Sequence, residues 1–82
     1  MTTIPPEVRT RIGARLRELR GGRSQGVVAQ LSGLSQPALS NYEMGKRELP
    51  LGTALVLATV LGVRLADLLE GVRVDHMGGI TL

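Results

Sequence analysis

The residues best equipped to meet another molecule lie close together: Gln36, Ser40 and Asn41 within six positions, followed by Lys46-Arg47. A glutamine or asparagine amide carries a donor and an acceptor side by side, which matches the N6/N7 edge of adenine, and a serine hydroxyl serves several bases. Pro37, set among them, offers only apolar contact, for instance to a thymine methyl. Gly45-Lys46-Arg47 places two cations on a loop, where they suit phosphate oxygens and would set register without reading sequence. Tyr42 either packs inward or donates its hydroxyl to a phosphate. This is the chemistry of binding rather than turnover. Ser24, Ser35 and Ser40 have no plausible base, paired carboxylates are not evident, and neither a dinucleotide fingerprint nor a P-loop occurs.

For these groups to face one way, residues 36–44 must form a helix. Leu39 and Tyr42, three apart, give it an inward side and leave Gln36, Pro37, Ser40 and Asn41 outward. Ser35 is its N-cap, and Pro37 falls in the first turn, where a missing N–H loses no intrahelical bond. Another helix precedes it, capped by Ser24, with Gln25 and Gly26 in its first turn and Val28, Ala29 and Leu31 as its apolar side. Gly26 lowers helix propensity there and permits close approach of a DNA backbone. Gly33 suits the left-handed backbone on which a chain leaves a helix, with Leu34 between the two helices. Helix, tight turn, helix and basic loop is the arrangement that lays a helix in the DNA major groove.

The flanks supply the scaffold. Residues 1–5 read as a loose leader. Pro6 and Glu7 open an amphipathic helix whose stripe is Val8, Ile12, Leu16 and Leu19, and Gly21-Gly22 closes it. Arg9, Arg11, Arg15, Arg17 and Arg20 lie mostly off the stripe as a solvated face, with one or two near the helix end in reach of phosphate. Pro50 restarts the chain. Leu51, Leu55, Ala58 and Leu61, with Val56, Leu57 and Val60, make a helix apolar around most of its circumference, as a core helix is. Gly62 ends it, and Leu65, Leu68 and Leu69 form a last short helix with Asp67 and Glu70 outside. In the tail, residues 71–82, Val72 and Val74 alternate with Arg73 and Asp75 like a short strand. Such a strand needs a partner, for which its copy in a second subunit would serve; the alternative is disorder after His76.

Composition narrows the classes. Eighty-two residues make one domain with a modest core, which favours support from a partner subunit. With no cysteine and a single histidine, His76, neither a disulfide, a metal site nor any cofactor is expected. One tyrosine and no Phe or Trp disfavour a stacking platform for single strands. No apolar run approaches the roughly 20 residues of a membrane span, and Met1 to Pro6 does not resemble a signal peptide, so a cytoplasmic protein is expected. Residues 1–50 carry eight Lys/Arg against four Glu, whereas residues 51–82 carry two Arg against three acidic residues. The excess positive charge thus sits with the helix pair and its loop, as a phosphate-binding surface requires. Nine of the ten basic residues are Arg, which favours planar contacts to phosphate or guanine edges, although a GC-rich genome gives the same bias.

Ser24-Gln25, Val28-Ala29, Gly33-Leu34-Ser35, Leu39-Ser40-Asn41-Tyr42-Glu43, Gly45-Lys46-Arg47 and Pro50 recur here in an ordered set. With Ala58, Leu61-Gly62-Val63 and Asp67-Leu68-Leu69, the chain resembles the lambda-repressor/Cro-like (Xre) helix-turn-helix family over roughly residues 12–70. The resemblance implies an all-α domain of five helices over residues 6–70. It implies a phosphate contact from Ser24 and Gln25, and a brace between Gln25 and Gln36. It also implies a structural ion pair between Arg20 and Glu43. The Gly21-Gly22-Arg23 link is about two residues shorter than the family's usual spacing, which leaves Arg17 as an alternate partner for Glu43. Met44 stands where the family often has a polar residue. Residues 51–70 commonly supply a dimer contact.

Two functions follow as expectations. One is a sequence-specific double-stranded DNA-binding regulator, a repressor, acting as a homodimer on an inverted repeat in a bacterial or phage setting. Without room for a sensing domain, no small-molecule ligand is expected. The other is an antitoxin or phage accessory factor whose main contact is a protein partner through residues 51–82.

Overall fold

The computed structural model describes residues 3–82. Five helices follow in order, α1 (Pro6–Arg20), α2 (Gln25–Leu31), α3 (Gln36–Glu43), α4 (Leu51–Leu61) and α5 (Leu65–Leu68), and a two-residue hairpin of β1 (Arg73–Val74) and β2 (Ile80–Thr81) closes the chain. The all-α expectation holds, with the hairpin appended. Of the leader, Met1 and Thr2 lie outside the described residues, and Pro5 caps α1.

Local chemistry sets the helix bounds. Ser24 Oγ accepts from the Val27 amide at 3.1 Å and Ser35 Oγ from the Ala38 amide at 3.2 Å, so both expected caps form. Such a cap typically contributes about 1 kcal/mol. The chain turns out of α2 through Gly33 at φ 72°, and the Leu34 amide bonds back to Ala29 O at 2.8 Å. That turn accounts for a correction. Leu31, expected on the apolar side of α2, is 66% exposed. The helix stops at Leu31, and Leu34 folds back to pack against the core in its place.

The core joins Leu16 of α1, Val28 and Ala29 of α2, Leu39 and Tyr42 of α3, Ala54, Leu57, Ala58 and Leu61 of α4, and Leu68 of α5. Val8 and Ile12 complete the buried stripe of α1. The α4 helix is not the all-round core helix that its composition implies. Only its Ala54–Leu57–Ala58–Leu61 face is buried, and Leu51, Leu55 and Val56 are left in solvent. α2 and α5 pack on the buried side of α4, and among the described residues Leu51, Leu55 and Val56 remain uncovered. Leu69, expected within α5, caps it instead and is exposed.

The tail also departs from expectation. β1 pairs antiparallel with β2 of the same chain, Arg73 opposite Thr81 and Val74 opposite Ile80, so the residues after His76 are ordered. The Asp75 carboxylate organises the turn, its Oδ1 accepting from the amides of Met77 at 2.9 Å and Gly79 at 2.8 Å. The Asp75 amide then donates to Gly79 O at 2.8 Å and brings β2 alongside.

Candidate nucleic-acid interface

α3 is held against α1 by contacts that admit almost no side-chain volume. Gly13 of α1 lies directly beneath the last turn of α3, where a Cβ would collide with the carbonyl oxygens of Tyr42 and Glu43, the latter at 2.6 Å. Gly45, just past the end of α3, has φ 70° and rests on Thr10, whose Cα would be 2.7 Å from an added Cβ. Arg9 adds a hydrogen bond from Nε to Gly45 O at 2.6 Å. Backbone thus meets backbone at two points, and the basic loop starts from a fixed place.

An ion pair fixes the orientation of α3. Arg20 Nε donates to Glu43 Oε2 at 2.7 Å and its Nη2 to Oε1 at 3.0 Å, a planar two-point contact suited to guanidinium and carboxylate. The Glu43 side chain is 3% exposed. The partner is Arg20 rather than the alternate, Arg17. The short link is accommodated because Arg20 Nη1 donates to Arg23 O at 2.7 Å while Arg23 Nε donates to Arg20 O at 3.2 Å, closing the link on itself. Burial pushes the Glu43 pKa up, but hydrogen bonds from Arg20 and Gln25 and the charges of Arg20 and Arg17 outweigh it. Its carboxyl therefore sits below the ordinary carboxylate value. The hydrogen bond to Glu43 raises Arg20 in turn, against the opposing effect of burial.

Gln25 is drawn into the same cluster, its Nε2 donating to Glu43 Oε1 at 2.9 Å. This replaces the expected brace to Gln36, because Glu43 offers a charged acceptor where Gln36 offers a neutral one. The Gln36 side chain lies over Gly26 instead, its Oε1 3.6 Å from where a Cβ would stand. One proton of the Gln25 amide group remains for a phosphate. Ser24 is exposed and uses its oxygen as a cap acceptor, which leaves its hydroxyl proton to donate.

Of the expected base readers, Gln36 and Pro37 are exposed and Asn41 and Ser40 half-buried. Among the described residues, no side-chain hydrogen bond occupies Gln36, Ser40 or Asn41. Ser40 lies lower on α3, at the edge of a depression shared with Arg17 and Gln25. Lys46 and Arg47 are exposed with no ion pair among the described residues. Tyr42 is only 8% exposed and its ring belongs to the core, the packed role that its spacing from Leu39 favours. The amides of Gly45 and Lys46 are spent within the chain, on Tyr42 O and Asn41 O, which leaves neither of these two for a phosphate.

The arginines of α1 are not the solvated face that their place off the apolar stripe implies. Besides Arg9 and Arg20, Arg15 Nε donates to Asp67 O at 2.8 Å and pairs with Glu18 and Glu70, and Arg11 Nε donates to Glu70 O at 3.3 Å. They clamp the carbonyl ends of α3 and α5, where positive charge is favourable. No sequence signal marks them, because the acceptors are backbone oxygens 36, 52 and 59 residues away.

A recognition helix rigidly seated on a bundle, with unengaged amides outward and free cations beside it, defines a helix-turn-helix DNA-binding protein. The helix-turn-helix family profile HTH_3 matches residues 14–68, and the chain belongs to this lambda-repressor-like family of DNA-binding transcription regulators. Among solved structures, it is similar to the restriction-modification controller protein C.AhdI from Aeromonas hydrophila, at 41% identity and TM-score 0.69 over 72% of this chain and 92% of that one. It is also similar to the clp gene regulator ClgR from C. glutamicum, at 31% identity and TM-score 0.73, covering 76% and 83% of the two chains. The DNA-binding domain of BldD aligns at 28% identity and TM-score 0.73, over 82% of this chain and all of that one. Among curated protein sequences no significant match is found.

Proposed function

We propose that the chain is a sequence-specific repressor that binds an inverted-repeat operator as a homodimer in the cytoplasm of a bacterium or in a phage-infected cell. The observation that carries this reading is the outward set Gln36, Pro37 and Asn41, unengaged and flanked by free Lys46 and Arg47, on a helix locked to its scaffold. Gln36 and Asn41 read adenines and Pro37 meets a thymine methyl, while Ser24, Gln25, Lys46 and Arg47 hold phosphates. The exposed Leu51, Leu55, Val56 and Leu69 support the homodimer. Leu51 and Leu69 border an apolar groove of about 310 Å³ among α1, α3, α4 and α5, lined also by Ile12, Leu16, Tyr42 and Leu68. A second copy covering this face would bring two recognition helices to half-sites about 34 Å apart. Similarity to a restriction-modification controller and to a clp gene regulator supports a role in gene control.

The same apolar face would suit a protein partner if the chain were an antitoxin or accessory factor. Selection from a random duplex library, with wild type beside the Gln36→Ala/Asn41→Ala variant, separates the two. A palindromic consensus that the variant loses is expected. If no sequence is enriched over background, the helix-turn-helix is a scaffold and the apolar face meets a different protein.

A further inference from the structure

Six arginines occupy α1 and the link after it, and five are committed within the chain. Arg9 holds Gly45 O, Arg11 holds Glu70 O, and Arg15 holds Asp67 O and two glutamates. Arg20 holds Glu43, and Arg23 holds Arg20 O and Leu19 O. Arg17 alone has no hydrogen bond or ion pair among the described residues, and it is exposed. It lines a depression of about 250 Å³ where α1, α2 and α3 converge, with Arg20, Gln25, Ser40, Glu43 and Met44 as the other walls.

The charge of that depression is one-sided. Glu43 is its only carboxylate, and both of its oxygens already accept from Arg20, with Gln25 adding a third bond. Arg20 and Glu43 cancel, so the Arg17 guanidinium stands as uncompensated positive charge. Beside it, the Ser40 hydroxyl and the spare Gln25 amide proton are donors without acceptors. Donors converging around an uncompensated cation form a seat for an oxyanion.

We propose that Arg17, with Ser40 and Gln25, seats a DNA backbone phosphate on the α1 side of the recognition helix. This rests on the DNA-binding reading above and adds a second anchor. Lys46 and Arg47 hold the backbone beyond the C-terminus of α3, and Arg17 holds it across the flank. Ser40 thereby changes role from base reader to phosphate ligand, and Met44 supplies the apolar wall rather than a lost contact. Anchors at two places fix the pitch of α3 in the groove, whereas one leaves it free to rock.

The test is fluorescence anisotropy of a labelled duplex against salt, using the selected operator and a random duplex. Wild type, Arg17→Ala, Arg17→Lys, Lys46→Ala and Arg73→Ala would be compared after thermal melts show them equally folded. Each phosphate contact contributes about 0.9 to the slope of log K against log salt. Arg17→Ala is expected to lower that slope by about 0.9 on both duplexes, Arg17→Lys to retain most of it, and Arg73→Ala, in the hairpin, to leave it unchanged. A wild-type slope in Arg17→Ala alongside a reduced slope in Lys46→Ala would overturn the phosphate seat and leave the DNA-binding reading standing. Absence of duplex binding by wild type at low salt would overturn both.

Discussion

At the scale of single residues, the proposed interface divides into side chains that would read and side chains that would hold, and the two should respond differently to truncation. Gln36→Ala and Asn41→Ala are expected to weaken the operator complex by about 1–3 kcal/mol each while leaving binding to random duplex almost unchanged. Lys46→Ala and Arg47→Ala should weaken both complexes alike and reduce the salt slope by about one unit each. Competition titrations against operator and random duplex distinguish the two patterns. Glu43 makes a separate prediction. Its folded pKa lies below the ordinary carboxylate value, so the stability it contributes is present at neutral pH and is lost as pH falls through that lowered value. Glu43→Gln should cost about 3 kcal/mol at pH 7, the low end for breaking a buried pair because Arg20 keeps some solvent. Urea melts at pH 7 and pH 3 would show a smaller acid loss in the variant than in wild type.

At the scale of elements, the decisive feature is the close seating of α3 on α1 through Gly13 and Gly45. Gly13→Ala must push the helices apart against backbone atoms, which cannot swing away as a side chain would. A loss of about 1–3 kcal/mol is expected in chemical denaturation, with weaker operator binding because the loop bearing Lys46 and Arg47 shifts with α3. An unchanged midpoint would show that α1 yields instead. The elements themselves were legible in the sequence. Ser24 and Ser35 as caps, Gly33 and Gly45 as exits and the Val8–Ile12–Leu16 stripe are local signals, and the backbone obeyed them. Long-range choices were not legible. The pattern of α4 does not say which apolar side faces inward, since Leu51, Leu55 and Val56 are as hydrophobic as Leu57 and Leu61. The acceptors of Arg9, Arg11 and Arg15 are backbone oxygens, invisible in side-chain identities. For the site, the sequence offered Gln36 as the brace for Gln25, yet its partner is Glu43, a choice between two acceptors that only geometry decides.

At the scale of the whole molecule, the bundle has two faces with opposite chemistry, a basic polar one at α3 and an apolar one at α4 and Leu69. If a second copy covers the apolar face, placing a charge there should separate the copies without unfolding either. Leu55→Glu, at a position already 49% exposed, is expected to sediment as a monomer with an unchanged melting profile, and to lose operator affinity far more than affinity for random duplex. A dimer that survives this change would put the subunit contact elsewhere, with the C-terminal hairpin as the remaining surface. The separation of the two faces also bears on how such proteins diversify. Among the described residues, Gln36 and Asn41 form no side-chain hydrogen bonds, so on the proposed reading exchanging them would alter what is read without breaking a side-chain bond that holds the fold. After a gene duplication, a few changes on α3 would give two paralogues with distinct addresses and one shared dimer face. They would then mix, and the hybrid would recognise a third, asymmetric site that neither parent reads.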